Sequence, residues 1–398
     1  MDNDLFTAVS AHLVSREARR NAWILWIALL FIVILISIFA AEKRTVLPAY
    51  TQGSKLWCEG RDLYGQDIHG YLYLPHAAIL LVPVALLPAW LQEPAWRCFT
   101  IVALGWASLC LSRFGQRLSD HEQLGGSSLN PLAMFPVMTV LIVPLSLQSA
   151  RNGQMNLPLA ALMALSALAI AERRWWLTSC WLCLGLALKP LMLPMILAAW
   201  VLFPPLRARL SAALLGLFVL PFLTQEPAYV WGQYLSFVQK SRLASNPGAG
   251  GAFSDIFALL DSVGVRVSLQ QRWVVRVAAG GVMLFLSRFA FRRCSHERGA
   301  VFFLVYMSCY VLLFNPRTEN NTYMVAAIPL AILGAWAILV ERNRPALILF
   351  PLLVIGMAAG YELSQSRNLW LSPYSCLIFF IYCTSLVVAR NGFASRPV

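Results

Sequence analysis

The residues of this sequence best suited to chemistry lie in a few short polar segments between long apolar runs. The first segment, residues 54–75, contains four aromatic residues and the ionisable residues Glu59, Arg61, Asp62, Asp67 and His69. Ionisable groups are costly next to lipid, so a mostly apolar chain places them where they meet water or a ligand. We expect this segment to form one part of a functional site.

A second polar segment places Arg151, Asn152, Gln154 and Asn156 around Gly153. Either Asn152 or Asn156 alone would be explained by capping of the helix that follows. Amide side chains both donate and accept hydrogen bonds, so they match the hydroxyls of a carbohydrate and the oxygens of a phosphate. Three amides and an arginine together favour contacts with a sugar or a phosphate.

Lys189 lies within an apolar stretch, directly before Pro190. A cation at membrane depth faces a cavity or a partner, or its long side chain extends to the interface. Because Pro190 cannot continue a regular helix and leaves backbone groups free, the stretch suits a binding site. We predict that Lys189 neutralises a phosphate.

A third polar segment, residues 315–323, reads NPRTENNTY and contains Arg317, Glu319, Asn320 and Tyr323. A guanidinium group binds anions, and a carboxylate can act as a general base. The alternative is a local ion pair between Arg317 and Glu319 at a membrane interface. We predict that Arg317, Asn320 and Tyr323, together with Tyr73 of the first segment, bind substrate, and that Glu319 is a candidate general base.

Composition fixes the class of protein. The chain has 398 residues, of which 59% are hydrophobic and 12% charged, with a formal charge of +13 and a mean hydropathy of +0.66. Repeated apolar runs of spanning length predict an all-α polytopic integral membrane protein, with residues 1–398 as a single domain. The basic residues cluster between apolar runs, which indicates membrane orientation and not nucleic-acid binding. The nine cysteines show no metal-ligand spacing.

The placement of basic clusters predicts the topology. Arg16, Arg19 and Arg20 precede the first apolar run, so residues 1–22 should be cytoplasmic and residues 42–74 should form the first outer loop. Residues 224–271 should form a long outer loop that covers the site. The first run should be retained as a membrane anchor.

About twelve crossings would join two cytoplasmic termini. The apolar run 75–90 is interrupted by Pro83 and Pro88. A broken or re-entrant segment is tolerated where protein or water covers its free backbone groups. We therefore expect this run not to cross the membrane.

Five motifs in this order resemble the polyprenyl-phosphate-mannose-dependent mannosyltransferases, glycosyltransferase family eighty-seven of the GT-C superfamily. They are GRDLY at 60–64, GYLYLP at 70–75, GQMN at 153–156, GLALKP at 185–190 and Asn315-Pro316. The resemblance implies a GT-C-like helical bundle and an inverting transferase at the outer face of the bacterial cytoplasmic membrane. It would move a mannose-like hexose from a polyprenyl-phosphate donor to a glycan or glycolipid acceptor, with membrane lipids as further partners.

The sequence departs from the family at one position. In that family an Asp about eighteen residues before the GRDLY-like motif is the expected base, and counting back here reaches Thr45 and Val46. We expect His69 or Glu319 to replace it, with Asp62 third, because His69 titrates near neutral pH and Glu319 adjoins Arg317. Glu42 is nearest in sequence, but the adjacent Lys43 and Arg44 lower its basicity.

Breaking a glycosyl-phosphate bond leaves an anionic phosphate, which Arg44, Lys189 and Arg317 would stabilise. We expect transfer without a cofactor, Asp62 and Asp67 being the residues that would hold a divalent cation loosely. The absent Asp leaves a second hypothesis open, an inactive GT-C-like subunit of a polysaccharide assembly or export system. A transporter is a third hypothesis, but it would show paired halves in sequence.

Overall fold

The computed structural model describes residues 9, 11–40, 45–65, 70–122, 132–245, 253–367 and 369–389. Regular secondary structure in these ranges is helical throughout, with no strand. The prediction of an all-α polytopic protein is confirmed. In lipid only a helix satisfies its own backbone hydrogen bonds within one segment, so long apolar runs fold this way.

The α-helices of the described ranges are numbered in chain order, first for the N-terminal half and then for the C-terminal half of the chain. The first half contains α1 (Arg16–Phe39), α2 (Leu47–Cys58), α3 (Pro75–Leu80), α4 (Val82–Ala85), α5 (Ala89–Glu122), α6 (Phe135–Arg151), α7 (Asn156–Ala171), α8 (Trp175–Leu188), α9 (Leu193–Leu202) and α10 (Pro204–Val219). The second half contains α11 (Pro227–Ala244), α12 (Ile256–Ser262), α13 (Leu269–Arg293), α14 (His296–Phe314), α15 (Ala327–Leu339), α16 (Ala346–Arg367) and α17 (Leu371–Val388). Short 3₁₀ helices lie at Pro190–Met192, Leu220–Leu223 and Asn320–Ala326.

Seven helices of the described ranges are long and apolar enough to cross a membrane, and five shorter apolar helices of 10–17 residues accompany them. Together they number twelve in the described ranges, the same number as the crossings expected from the sequence. The long helix α1 exposes most of its surface, with 28% of its apolar window buried. The shorter helix α7 has nearly all its residues buried, so it packs against protein and not lipid.

The run at 75–90 is broken, as expected. It forms α3, of six residues, and α4, of four, and neither approaches the length of a crossing. Pro83 lies in the first turn of α4, where the missing amide hydrogen of proline is harmless. Pro88 comes directly before α5.

The segment predicted as a long outer loop, residues 224–271, is largely helical and not irregular. It contains α11 and α12 and ends in the start of α13. Polar and aromatic residues are mixed along α11, so hydropathy gives no helix signal there. Side chains of α11 hold the segment 60–65: Gln233 Oε1 accepts from the Leu63 amide at 2.9 Å, and Tyr229 donates to the Arg61 carbonyl at 2.7 Å.

One end of the bundle, which we call the site end, joins the polar segments singled out in the sequence. The Val46 amide donates to the Asn152 carbonyl at 3.1 Å, and Ser149 Oγ donates to the Asn321 carbonyl at 2.8 Å. The Ser254 amide donates to a carbonyl of residue 318 at 2.7 Å. Alternate crossings therefore bring the segments after α1, α6, α11 and α14 together.

The opposite end has its own set of contacts. Arg117 pairs with Glu172 at 2.9 Å, and a ring nitrogen of His296 lies 2.9 Å from the Ile170 carbonyl oxygen. Arginine dominates its turns and the adjoining helix ends, at Arg113, Arg117, Arg173, Arg174, Arg207, Arg209, Arg288, Arg292, Arg293, Arg298, Arg342 and Arg344.

The turn between α6 and α7 depends on Gly153, whose φ is +64°. This left-handed conformation costs a residue with a side chain about 1–2 kcal/mol. The nearest atom to an added Cβ is 3.5 Å away, on Trp96, so the cost is conformational and not steric. Trp96 Nε1 also donates to the Gly153 carbonyl at 2.8 Å.

We predict that Gly153→Ala lowers the free energy of unfolding by about 1–2 kcal/mol, because the turn keeps its left-handed backbone. Thermal unfolding in detergent measures it. The control is Gly216→Ala in α10, where an added Cβ meets no atom within 4 Å and stability should be unchanged or higher. Equal midpoints for the two variants would contradict the prediction.

Candidate active site

A cavity of about 670 Å³ lies at the site end. Its wall is formed by the start of α2, the segment 70–73, the turn after α8, faces of α11, α13 and α14, and the segment 315–322. Five of the residues predicted from sequence line it: Tyr73, Gln154, Lys189, Arg317 and Glu319. The fold thus gathers side chains from the three polar segments and from the turn at Lys189 around one space.

Lys189 is held on this wall by Asn156. Its Nζ donates to Asn156 Oδ1 at 2.6 Å, and Asn156 Nδ2 donates to the carbonyl and side-chain oxygens of Asn321 at 3.1 and 3.0 Å. Lys189 itself has extended backbone and lies in the turn between α8 and the 3₁₀ helix that Pro190 begins. Asn156 therefore acts behind the wall, orienting the lysine.

Burial lowers the pKa of Lys189 to about 8, with Glu319 opposing the shift and Arg317 adding to it. The ammonium form is thus the form present below about pH 8. An anion in the cavity would favour that form further, since an opposite charge stabilises it.

Arg317 and Glu319 lie side by side on the same wall. Arg317 Nε is 3.7 Å from Glu319 Oε1, and its guanidinium is 5.7 Å from the centre of the Phe253 ring. Asn321 Nδ2 donates to Glu319 Oε2 at 3.2 Å. The carboxylate is therefore placed among the groups that hold Lys189 and Arg317.

Arg276 is a third cation on the wall, and sequence reasoning missed it. It lies within α13 and is 5% exposed. Its Nε donates to the Phe314 carbonyl at 2.9 Å, and its guanidinium pairs with the Asp255 carboxylate at 3.6 Å. Burial raises the pKa of Asp255 to about 6, against the opposing effects of the Ala258 amide and Arg276. The available signal was an arginine four residues inside the apolar run that begins near Arg272.

Neutral hydrogen-bonding groups complete the wall. Tyr73 and Tyr50 place their hydroxyl oxygens 3.1 Å apart, and both line the cavity. Burial raises the pKa of Tyr73 to about 12, so its phenol stays neutral. Gln154 is 6% exposed. Its side-chain amide makes no hydrogen bond to another described residue, so it is free to bind a ligand.

Asn320 and Tyr323 lie behind the wall and hold the segment 315–323 in place. Asn320 donates to Gln148 Oε1 at 3.2 Å and accepts from Ser372 Oγ at 2.8 Å. Tyr323 donates to the Ser254 carbonyl at 2.6 Å. Their side chains are engaged by protein, which gives them supporting roles.

The remaining predicted residues lie elsewhere. Arg151 is exposed at the end of α6 and Asn152 is half-buried in the following turn, and neither is among the residues that line the cavity. Asp62 is exposed, and its Oδ1 accepts from the Tyr64 amide at 3.3 Å, which orders the loop. Outside the described residues lie Arg44, His69, Glu42 and Asp67.

The described part of the chain contains no group of three or more His, Cys, Asp or Glu residues that could hold a metal ion. Asp62 is one of the two carboxylates that we expected to hold a divalent cation loosely. Its side chain is exposed in the loop that follows α2. The second, Asp67, belongs to a stretch without described structure.

A comparison with protein-family models identifies the family of the chain. The model of glycosyltransferase family 87 matches residues 71–316, which include Tyr73, Gln154, Lys189 and Arg276. The chain belongs to glycosyltransferase family 87. This membership makes the protein a membrane glycosyltransferase. A search of curated proteins gives no match.

For this family 87 protein we predict that an anionic ligand binds less tightly as pH rises through about 8, because Lys189 loses its proton there. A prenyl-phosphoryl-hexose suits the measurement, since a phosphodiester keeps its charge over this range. Affinity should fall about tenfold or more between about pH 6.5 and pH 9.5, the worth of one charge-assisted hydrogen bond. Lys189→Met should bind weakly with a flat profile, and an equal slope in both proteins would contradict the prediction.

Proposed function

We propose that the protein transfers a hexose from a polyprenyl-phosphate donor to a hydroxyl of a glycan or glycolipid acceptor, with inversion at the anomeric carbon. The observation that carries the proposal is the placement of Lys189, Arg276 and Arg317 on the wall of one cavity that also has an apolar side. A mannose-like sugar is the first candidate, following the motifs that resemble polyprenyl-phosphate-mannose-dependent enzymes.

The cations suit the chemistry of the leaving group. When the bond between the anomeric carbon and the phosphate oxygen breaks, its electron pair stays on the phosphate. Preorganised positive charge stabilises that developing charge. Lys189 and Arg317 influence each other electrostatically, so they form one anion-binding cluster, and Glu319 keeps Arg317 oriented at 3.7 Å.

The apolar side of the cavity suits a prenyl chain. Leu191, Leu193, Val277 and Phe314 line it. A groove of about 420 Å³ adjoins the cavity and shares Phe237, Ser241, Ser245 and Trp273 with it. The groove lies between α11 and α13, where Trp273 is 51% exposed, so a lipid chain could pass from the cavity to the bilayer. A water-soluble nucleotide sugar would have no use for this surface.

Tyr50, Tyr73 and Gln154 suit the sugar itself. A neutral phenol and a side-chain amide offer both donors and acceptors to sugar hydroxyls. The two phenol rings pack edge to face, with their centres 5.1 Å apart, which fixes the direction of the Tyr73 hydroxyl. This part of the wall would orient the hexose between the phosphate site and the acceptor.

The arginine-rich end of the bundle supports a location for the reaction. Short turns at that end carry clusters such as Arg173–Arg174 and Arg292–Arg293, and basic residues in short loops mark the cytoplasmic side. The site end would then face away from the cytoplasm, at the outer face of the bacterial inner membrane, with both termini inside.

One observation favours a second candidate function, a subunit without transferase activity that serves polysaccharide assembly or export. Thr45 lines the cavity and stands at the sequence position where the mannosyltransferases that the motifs resemble have an Asp. Turnover separates the two hypotheses: purified protein in lipid vesicles is given a polyprenyl-phosphate-linked hexose and candidate acceptors. Release of polyprenyl phosphate with formation of a glycosidic bond supports the enzyme, and binding without turnover supports the inactive subunit.

We predict that Lys189→Gln and Arg317→Gln each weaken donor binding about 10- to 100-fold, because each removes a charge-assisted contact to phosphate worth about 1.5–3 kcal/mol. Binding is measured by titration of a prenyl-phosphoryl-hexose into protein in detergent. The matched control is Arg61→Gln at the same end of the bundle, where Arg61 makes an exposed ion pair with Glu59. Unchanged donor affinity in both cavity variants would assign these cations to structural roles.

We predict that Cys58 reacts with a membrane-impermeant thiol reagent added outside the cell, whereas Cys294 reacts only after the inner face is opened. Cys58 is exposed at the end of α2, and Cys294 is half-buried at the end of α13. Variants that retain one cysteine each make the assignment unambiguous. Labelling of Cys58 only after opening would place the cavity on the cytoplasmic side.

A further inference from the structure

Thr45 lines the cavity, and its hydroxyl makes two hydrogen bonds to protein groups. Its Oγ1 donates to Glu93 Oε1 at 2.5 Å and accepts from the Leu47 amide at 3.2 Å. A hydroxyl has one donor and two lone pairs. Because one lone pair is taken by Leu47 and the proton by Glu93, one lone pair remains for a group within the cavity.

Glu93 belongs to the first turns of α5 and is almost enclosed. Its Oε2 accepts from Arg97 Nε at 2.9 Å, and the two side chains are 12% and 0% exposed. The other two guanidinium nitrogens of Arg97 have no hydrogen-bond partner among the described residues. A buried ion pair accounts for one oxygen of Glu93. It does not account for the second oxygen, which points to a hydroxyl on the cavity wall.

The surrounding contacts hold this arrangement in place. The Val46 amide donates to the Asn152 carbonyl at 3.1 Å, and Trp96, next to Arg97, donates to the Gly153 carbonyl at 2.8 Å. The start of α2, the start of α5 and the turn after α6 are thereby locked together. The segment 151–156 supports Thr45 and Glu93 with its backbone.

We propose that Thr45 and Glu93 form a proton relay that takes the proton of the acceptor hydroxyl, an inference that rests on the proposed glycosyl transfer. As the acceptor oxygen bonds to the anomeric carbon, its proton passes to Thr45 Oγ1. The hydroxyl proton of Thr45 passes to Glu93 Oε1. The bond from the anomeric carbon to phosphate breaks, and its electron pair leaves on the phosphate, so that no further reactant is required.

Glu319 is less suited to this step. It pairs with Arg317 and raises the pKa of Lys189, so it belongs to the cluster that holds the leaving phosphate. In an inverting displacement the acceptor approaches the face of the sugar opposite the phosphate. Thr45 is fixed by α2 and α5, elements separate from that cluster, and Glu93 provides it with a carboxylate.

The test compares turnover of variants in vesicles with a polyprenyl-phosphate-linked hexose. Glu93→Gln and Thr45→Val should each lower kcat about 100-fold or more, the usual contribution of a general base, with the donor KM unchanged. Thr45→Ser, which retains the hydroxyl, should stay within about threefold of the unmodified protein. Glu319→Gln should act mainly on the donor KM. The matched control Glu59→Gln removes an exposed carboxylate of the same end and should change neither constant.

A rescue experiment separates proton transfer from structural support. The double variant Thr45→Asp with Glu93→Gln places a carboxylate directly on the cavity wall, next to an amide that can donate to it. Its kcat should exceed that of Glu93→Gln at least tenfold. A carboxylate needed only to pair Arg97 would not be replaced in this way.

A near-normal kcat in Glu93→Gln or in Thr45→Val overturns the relay but leaves the proposed function in place. A double variant whose kcat is no higher than that of Glu93→Gln has the same consequence. If Glu93→Gln does not fold, the Thr45 pair decides: equal kcat for Val and Ser overturns the relay, and loss in Val alone supports it. If the unmodified protein transfers no hexose from any polyprenyl-phosphate donor, the proposed function and the relay fall together.

Discussion

The hydrogen bond from Lys189 to Asn156 is the contact on which the cavity depends. Asn156 begins α7, Lys189 follows α8, and the amide of Asn156 reaches onward to the carbonyl and side chain of Asn321. One side chain thus fixes three turns that are far apart in the sequence. Since an amide both donates and accepts, it can hold a cation on one side and a backbone carbonyl on the other without carrying charge itself.

The neutrality of Asn156 determines the electrostatics of the cavity. Arg276 has Asp255 beside it at 3.6 Å, and Arg317 has Glu319 at 3.7 Å. Lys189 instead donates to an amide, and its carboxylate neighbour Glu319 is shared with Arg317. Burial of a cation without a full counter-charge is unfavourable. An anionic ligand would supply the missing charge, which favours the binding of phosphate over that of a neutral sugar.

Much of this site follows from the alternation of apolar runs in the sequence. Even without atomic contacts, alternate crossings place Tyr73, Gln154, Lys189, Arg317 and Glu319 at one end of the bundle, and all five line the cavity. Sequence pattern does not show which side of a turn a residue faces. Asn320 and Tyr323 neighbour Arg317 in sequence, yet they hydrogen-bond to Ser372 and Ser254 behind the wall.

Other features lay beyond sequence reasoning for a different physical reason. Arg276 and Glu93 lie within or near the start of largely apolar helices. Their roles depend on partners distant in the chain, which are Phe314, Asp255 and Thr45. The helix α11 was hidden because its polar and aromatic residues resemble a loop in composition. Its helical form is stabilised by contacts with the segment 60–65, and composition along one segment cannot reveal such contacts.

The short buried helices have a consequence for how a lipid would reach the site. At about 1.5 Å per residue, the 16 residues of α7 span about 24 Å, less than the roughly 30 Å of bilayer hydrocarbon. At least one end of such a helix lies within the hydrocarbon layer, and a site at its Asn156 end would form a depression in the membrane surface. Lifting a prenyl chain into water costs about 0.8 kcal/mol for each exposed CH₂ group. In such a depression a phosphate can meet Lys189 while its chain stays within the hydrocarbon.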